Sequence, residues 1–412
     1  MNKKMAIEII ESSSVSFLAS LLLSENQIKH NFYVKEIPIS YLSLDPLSSP
    51  ITNRTSQQLE KKFLSEKVLS KLEYIEQYHF EWFHSSPIQL NELTGRFQFP
   101  VYAIDNRLRL QNFWESLLSR DNVNVIKGES SNQKNQPDLV KIKVFGGGEK
   151  NSVYFKDNVN LPRERFTIKR EIVYFNLVPK NEILNKHNKL RMISIHSTAD
   201  ITLYPFLNKE YETSISLVLS ITKGGTWDVF EDVTSLNVAW EKTIELLGIF
   251  KKELSDELFQ NFNLEDTNIF QTSVSPFFKE PFYRDGTNLV FGLGEVIAKN
   301  DPITAQGYNS GILIASKLVE AIVSAKTTND YTIVTSSYMS YANLQLEHLF
   351  HLNMAFTQIC YNYGDVYKHA ASNSSLKDFI MSCYEDYTLY FPWLIDEFEC
   401  EKLIHLYSNK TR

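Results

Sequence analysis

The chain has 412 residues, 43% hydrophobic and 13% aromatic, enough to bury a large core divided over roughly two or three domains. A net charge of −7 and a pI near 5.8 argue against nucleic acid as the main partner, because neutralising phosphates takes a clustered basic surface. No stretch approaches the roughly 20 apolar residues of a membrane helix, so no membrane partner is expected.

In chain order, Ala6 to Ile10 predicts a strand, Ser12, Ser13 and Ser14 offer N-cap hydroxyls, and Val15 to Leu23 predicts a helix. Phe17, Leu18, Leu21 and Leu22 form its inner face. Lys3-Lys4 ahead of this run imitates a secretion signal. Glu8 and Glu11 interrupt the apolar stretch, however, and no small-residue cleavage site follows, so a structural strand and helix are expected. Asn31 to Val34 is the second strand, ending at Lys35-Glu36. A β-α-β unit of about 30 residues opens a nucleotide-binding fold. Residues 55–83 read as helical, with Leu59, Phe63, Val68 and Leu72 on one face. Residues 98–105 read as a strand or extended lead-in, and Asn106 to Ser119 as a helix. After a polar stretch at 128–137, Asp138 to Phe145 predicts a strand stopped by Gly146-Gly147-Gly148.

From about 151 to 282 the pattern becomes β-type, with runs at Ile172 to Leu177, Ile201 to Phe206 and Ser214 to Ile221. One helix around Val238 to Glu253 interrupts an inserted antiparallel sheet, and Gly224-Gly225 reads as a turn. Tyr174, Phe175, Tyr204, Phe206, Trp227 and Phe230 supply core aromatics. Alternation along a strand lets at most half of such residues face one side. A buried strand returns at Leu289 to Leu293, a helix follows over 307–325, and the chain is mostly helical from Thr335. The three cysteines, Cys360, Cys383 and Cys400, lack Cys-x-x-Cys spacing and read as packing residues in a reducing, cytoplasmic setting. Glu347, His348 and His351 share one helix face at metal-ligand spacing, but only Glu81 and His84 offer a matching second pair, and no metal site is expected.

The most informative segment is 291–311, Phe-Gly-Leu-Gly-Glu-Val-Ile-Ala-Lys-Asn-Asp-Pro-Ile-Thr-Ala-Gln-Gly-Tyr-Asn-Ser-Gly. A strand, a glycine turn, a loop broken by Pro302 and a helix opening near Gly307 place free backbone N–H groups and a positive helix end against an electron-rich ligand. The segment, with the strand-turn-helix opening and the sheet insertion, resembles the oxygenase component of styrene and indole monooxygenases. That family is a group of two-component, FAD-dependent epoxidases.

The resemblance implies an α/β fold: a Rossmann-like FAD-binding domain of the flavoprotein monooxygenase type, with an inserted antiparallel β-sheet substrate domain and a helical C-terminal region. The expected boundaries are 1–145, 146–283, 284–330 and 331–412. By the same resemblance Gly294 and Glu295 meet the ribityl chain, while Asp301, Pro302, Gln306, Gly307 and Asn309 lie at the isoalloxazine edge, with Pro302 and Asn309 positioning the reacting ring. Glu11, Ser13 and Ser16 occupy the three glycine positions of the dinucleotide fingerprint, with Glu36 at the end of the second strand and Arg107 matching a phosphate-pairing arginine. Asp45-Pro46-Leu47-Ser48-Ser49 is the counterpart of an Arg-x-x-Asn-Thr stretch, so Ser48 joins the catalytic set. The implied activity is epoxidation or hydroxylation of a hydrophobic aromatic molecule with reduced FAD from a partner flavin reductase, and a homodimer stays open as the assembly. A carboxylate at position 11 would oppose a phosphate dianion at a cost of one to several kcal/mol, in order of magnitude. The alternative is therefore a degenerate flavoprotein-fold protein that does not bind FAD and serves as a binding or scaffold protein.

Overall fold

The computed structural model describes residues 4–10, 13–35, 40–44, 49–83, 87–128, 139–146, 149–166, 169–180, 188–195, 198–231, 233, 235–265, 272–274, 276–301, 304, 306–357, 361–383, 389 and 397–408. The chain is α/β, built on two large sheets and a helical C-terminal region.

The first sheet is mostly parallel. β1 (Lys4–Ile10) lies between β2 (His30–Val34) and a later strand, β7 (Leu139–Phe145). Outside these run β6 (Val123–Lys127) beyond β2, and β16 (Asn288–Gly292) beyond β7, with β15 (Phe282–Asp285) closing the edge as an antiparallel neighbour. One face carries Ile7, Ile9, Ile142 and Val144 into the main core, where α1 (Ser14–Glu25), α4 (Asn106–Leu118) and α7 (Gly307–Thr328) pack. The other face carries Glu8, which pairs with Lys141 at 2.6 Å, both largely buried. Short parallel strands buried on both faces need that pairing, because a lone buried charge is costly.

The second sheet has nine strands. β3 (Ile51–Thr52), β4 (Ile75–Phe83) and β5 (Gln89–Ala103) come from the first third of the chain. They join β8 (Arg170–Pro179), β9 (Lys189–Ile195), β10 (Ala199–Leu207), β11 (Thr213–Thr222), β12 (Phe262–Leu264) and β13 (Thr272–Val274). The strand pairs are antiparallel except β4 with β9, which run parallel. Strand alternation divides its side chains cleanly. Val173, Phe175, Ile201, Leu217 and Leu219 pack under α5 (Leu236–Phe250) and α6 (Lys252–Asn261). Tyr78, Phe80, Trp82, Tyr204 and Phe206 face the main core. A two-stranded pair, β14 (Phe277–Phe278) with β17 (Ala298–Lys299), ties the end of the insertion to the loop after β16.

Two expectations are corrected. Residues 55–83 are helical only at α2 (Arg54–Glu60), a 3-10 turn and α3 (Glu66–Leu69), and 75–83 is strand β4. Helix-forming Glu, Lys and Leu at 59–72 hide the period-two pattern Tyr78, Phe80, Trp82. The helix expected at 238–253 breaks at Lys251, whose backbone leaves the helical region (φ −144°, ψ 71°) and separates α5 from α6.

The C-terminal region is helical as expected: α8 (Thr332–Thr357), packed along α7, then α9 (Tyr361–Ser372), α10 (Ser374–Cys383) and α11 (Glu397–Ser408). His348, His351 and Glu347 lie on α8, but Glu81 is in strand β4, so it forms no matching helical pair; His84 lies outside the described residues. Glu81, His79 and Glu92 bring ligand-type atoms within 4.8 Å of one another. Glu81 is already met by Arg191 at 2.9 Å and by Lys251, and burial, which would raise its pKa, is outweighed by these cations, leaving it lowered. The trio is an ion-pair cluster. No helix among the described residues is long and apolar enough to cross a membrane.

Candidate functional site

Two helix starts meet where the parallel strands end. The first belongs to α7. Gly292 and Gly294 bring the chain out of β16 in a tight turn: Gly294 has φ +57°, and a Cβ at Gly292 would come within 2.2 Å of Ile297 Cγ2, so glycine is required at both. The following loop is held from α8. Asn353 Oδ1 accepts from the Asp301 N–H at 2.7 Å, and its Nδ2 donates to Asn300 Oδ1 at 2.7 Å. Helix α7 then begins after Gln306, whose side chain makes no capping bond. Gln306 is 4% exposed and its Oε1 is buried without a hydrogen-bond partner, while Gly307 is exposed. An uncapped 22-residue helix presents its first N–H groups and the positive end of its dipole outward.

The second start belongs to α1, and it is closed. Ser13 is the N-cap and forms a reciprocal capping box with Ser16: the Ser13 N–H donates to Ser16 Oγ at 2.8 Å, and the Ser16 N–H donates to Ser13 Oγ at 3.2 Å. The Ser13 hydroxyl donates to the Gly146 carbonyl at the end of β7. Gly146 permits this approach, since a Cβ there would meet Ser16 Cβ at 2.6 Å. Tight helix–strand contact is thus kept with the glycine on the strand and a serine on the helix. Val15 fills the space towards α7, with Cγ2 lying 2.8 Å from where a Gly311 Cβ would be and 3.6 Å from a Gly294 Cβ.

A buried polar chain joins the two starts. Ser14 Oγ donates to Asn106 Oδ1 at 2.7 Å, and Arg109 Nη1 lies 3.5 Å from the same oxygen. The Arg109 Nε donates to Glu60 Oε2 at 3.0 Å, both residues fully buried, and its Nη2 donates to Thr52 Oγ1 at 3.1 Å. Glu60 also accepts from the Tyr102 hydroxyl at 2.6 Å and from the Tyr308 hydroxyl in the first turn of α7. Burial opposes the Arg109 charge, but Glu60 overrides it and holds the guanidinium protonated. Burial, followed by the Glu60 charge, pushes the Tyr102 hydroxyl well up. Tyr308 is also well up: burial dominates, the Arg109 charge works against it, and Glu60 adds to it.

The inward face of the large sheet packs into the same core. Burial pushes Tyr204 up to about 12 against the pull of Ser216, and its hydroxyl donates to the Ser49 carbonyl at 3.1 Å. Tyr174 is pushed well up by burial and then by the charges of Tyr204, Asp301 and Glu295.

Of the residues singled out in the sequence, Ser13, Ser16, Gly294, Asp301, Gln306, Gly307 and Asn309 surround the two helix starts, with Glu295 exposed on the turn between β16 and the loop. Asn309 is spent on scaffolding: its Oδ1 accepts from the Asn53 N–H at 3.1 Å and its Nδ2 donates to the Ile51 carbonyl at 3.0 Å. Arg107 stands apart. Its Nε donates to Asp105 at 3.0 Å, and beyond Asp105 it feels Glu265 and Glu210 at the edge of the insertion. Glu11, Glu36, Ser48 and Pro302 lie outside the described residues, as does Asp45. Arg109, Glu60, Asn353 and Gly146 were not foreseen in these roles. For Arg109 the available signal was the repeat Arg107-Leu108-Arg109 on one helix, in which the second arginine faces the core.

No protein-family model matches the sequence, and no curated protein does. Solved structures match throughout. The flavin-dependent brominase Bmp2 superposes with a TM-score of 0.70 at 14% identity, over 99% of this chain and 98% of its own. A flavoprotein/dehydrogenase from Cytophaga hutchinsonii gives 0.72 at 9% identity over 100% of both chains. The p-nitrophenol 4-monooxygenase PnpA from Pseudomonas putida DLL-E4 gives 0.65 at 13% identity, over 95% and 100%. The chain therefore has the fold of flavin-dependent monooxygenases and halogenases.

Proposed function

We propose that the protein is a flavin-dependent oxidoreductase of the monooxygenase type, holding the flavin ring against the start of α7. The observation that carries this reading is the uncapped, exposed N-terminus of α7 beside a buried Gln306 Oε1 with no partner. Those groups suit the polar edge of an isoalloxazine, with Gly294 letting the backbone approach and Gly307 leaving the ring unobstructed. The shared fold supports it, and a variant of the halogenase PltM with this fold was solved in complex with FAD.

The fit is good at the ring and narrow at the phosphates. At α1, serine hydroxyls and the Ser14 and Val15 N–H groups replace a glycine cradle, and the arginines at the start of α4 are committed to Asp105 and Glu60. A narrow cradle suits a cofactor taken up transiently from a partner reductase. When bound, FAD supplies the oxygen-activating redox chemistry. The chain supplies the rest: α7 steadies negative charge at the ring edge, Asn353 fixes the loop at Asp301, and the inward sheet face excludes water and orients a small aromatic substrate.

Titration of the purified chain with FAD, oxidised and reduced, tests the reading; no binding at high micromolar concentration sinks it. A second reading, a flavoprotein fold that no longer takes the cofactor and acts as a binding or scaffold protein, is favoured by one observation: the serine capping box answers its own donors. Substituting Glu11→Gly, Ser13→Gly and Ser16→Gly together separates the two. A large gain in FAD affinity identifies the phosphate cradle as what was lost.

A further inference from the structure

Between β7 and β8 the chain runs past the end of β16 as an irregular ribbon, with 3-10 turns at Glu149–Tyr154 and Arg163–Arg165. Every third residue of its middle is buried: Ser152, Phe155, Asn158 and Leu161. Phe155 covers Gly292, where a Cβ would meet its ring at 3.1 Å, and packs edge to face with Tyr283 at 5.2 Å between ring centres. The Asn158 N–H donates to the Phe278 carbonyl at 3.1 Å, and the Lys156 carbonyl accepts from the Glu280 N–H at 2.8 Å. The ribbon is thereby pinned to β14 and β16.

Pinning every third residue turns the others outward. Val153 is 75% exposed, Val159 81% and Tyr154 58%, and the two valines are the most exposed large hydrophobic side chains among the described residues. Values this high mean that the side chains stand clear of their surroundings rather than lining a groove. Single exposed apolar residues are ordinary, but three within seven residues on a fixed support mark a contact surface. The charge around them is mostly positive. Over 149–169 the sequence carries five Lys and Arg against three Asp and Glu, in a chain of net charge −7. One of those anions, Asp157, is met by Lys279 at 2.6 Å. Lys150, Lys156, Arg163 and Arg165 are exposed, so cations flank and interleave the apolar tips.

We propose that this ribbon seats the protein peripherally on an anionic lipid surface. Val153, Tyr154 and Val159 enter the headgroup layer, and the Lys and Arg side chains meet lipid phosphates. Such contact needs no spanning helix, because a few apolar side chains and a basic cluster supply it together. A protein partner fits less well, since three protruding side chains fall far short of the core of a standard interface. The inference stands on this surface and not on the flavin reading, so failure to bind FAD leaves it untouched.

Co-sedimentation of the full chain with phosphatidylcholine vesicles and with phosphatidylglycerol-rich vesicles tests it. Binding is expected to be at least about fivefold stronger on the anionic vesicles and to fall about as far from low to high salt. Val153→Asp/Val159→Asp should weaken it at least about fivefold, and circular dichroism should show the fold kept, because both side chains are exposed. Lys150→Glu/Lys156→Glu should remove most of the difference between the two vesicle types, whereas Phe259→Asp, at an exposed position on α6, should change nothing. Equal binding to the two vesicle types, unchanged binding in both double variants, or an equal loss in Phe259→Asp overturns the proposal. Absence of binding to either vesicle also overturns it and leaves the ribbon to a protein partner.

Discussion

The starts of α1 and α7 sit side by side at the ends of β1 and β16, yet they treat their free N–H groups in opposite ways. At α1, Ser13 and Ser16 cap each other and Ser13 reaches across to Gly146. At α7, Gln306 caps nothing and Gly307 is exposed. A helix start that satisfies itself is scaffold, and one left open costs stability unless something outside the chain completes it. On the flavin reading proposed above, the contrast assigns the ligand to the start of α7 and a structural role to the start of α1.

The largest expected effect breaks the link between them. Arg109→Met leaves the Glu60 carboxylate buried without its cation and should cost about 3–5 kcal/mol in urea denaturation. A loss below about 1 kcal/mol would mean that the chain from Asn106 to Tyr308 does not hold the two starts together. Next, Gly311→Ala pushes a methyl against Val15 and should cost about 1–3 kcal/mol, most of it recovered in the Val15→Ala/Gly311→Ala double variant. Smaller again, Ser13→Ala removes a working cap and should cost about 1 kcal/mol, whereas Gln306→Ala, with no cap to lose, should stay within about 0.5 kcal/mol. Equal losses at these two positions would erase the comparison. The smallest effect is a pH dependence on the closed side, where His30 lies 2.6 Å from Ser20 Oγ of α1. Burial lowers its pKa, with the Ile28 carbonyl pulling the other way. The unfolded chain therefore binds this proton more readily, so the His30 contribution is complete above pH about 6.5 and fades as pH falls below it. His30→Gln should flatten that slope in thermal melts between neutral and mildly acidic pH.

Much of this architecture is legible in local pattern. A serine cap within Ser12 to Ser14, the strand at Leu289 and the helix from Gly307 follow from hydroxyls, apolar runs and glycines spaced a few residues apart. The long-range partners are not legible, because they depend on where separate segments meet. Arg107 and Arg109 look alike in sequence; Asp105 takes the nearer one, and Glu60, 49 positions away, takes the other. Asn309 has the residue type expected at a flavin edge, but β3 claims its amide. The membership of β4 and β5 in the large sheet is equally hidden, since β4 has as parallel neighbour β9, a strand more than a hundred residues later.

That last pairing constrains how the protein is made. Translation at about 5–20 residues per second leaves β4 waiting on the order of 6–20 s for β9 to emerge. Throughout that interval Tyr78, Phe80 and Trp82, all buried in the finished protein, are without the strand that completes their sheet. The nascent chain therefore carries an aromatic hairpin for seconds before its fold can close, an interval in which exposed apolar surface favours aggregation.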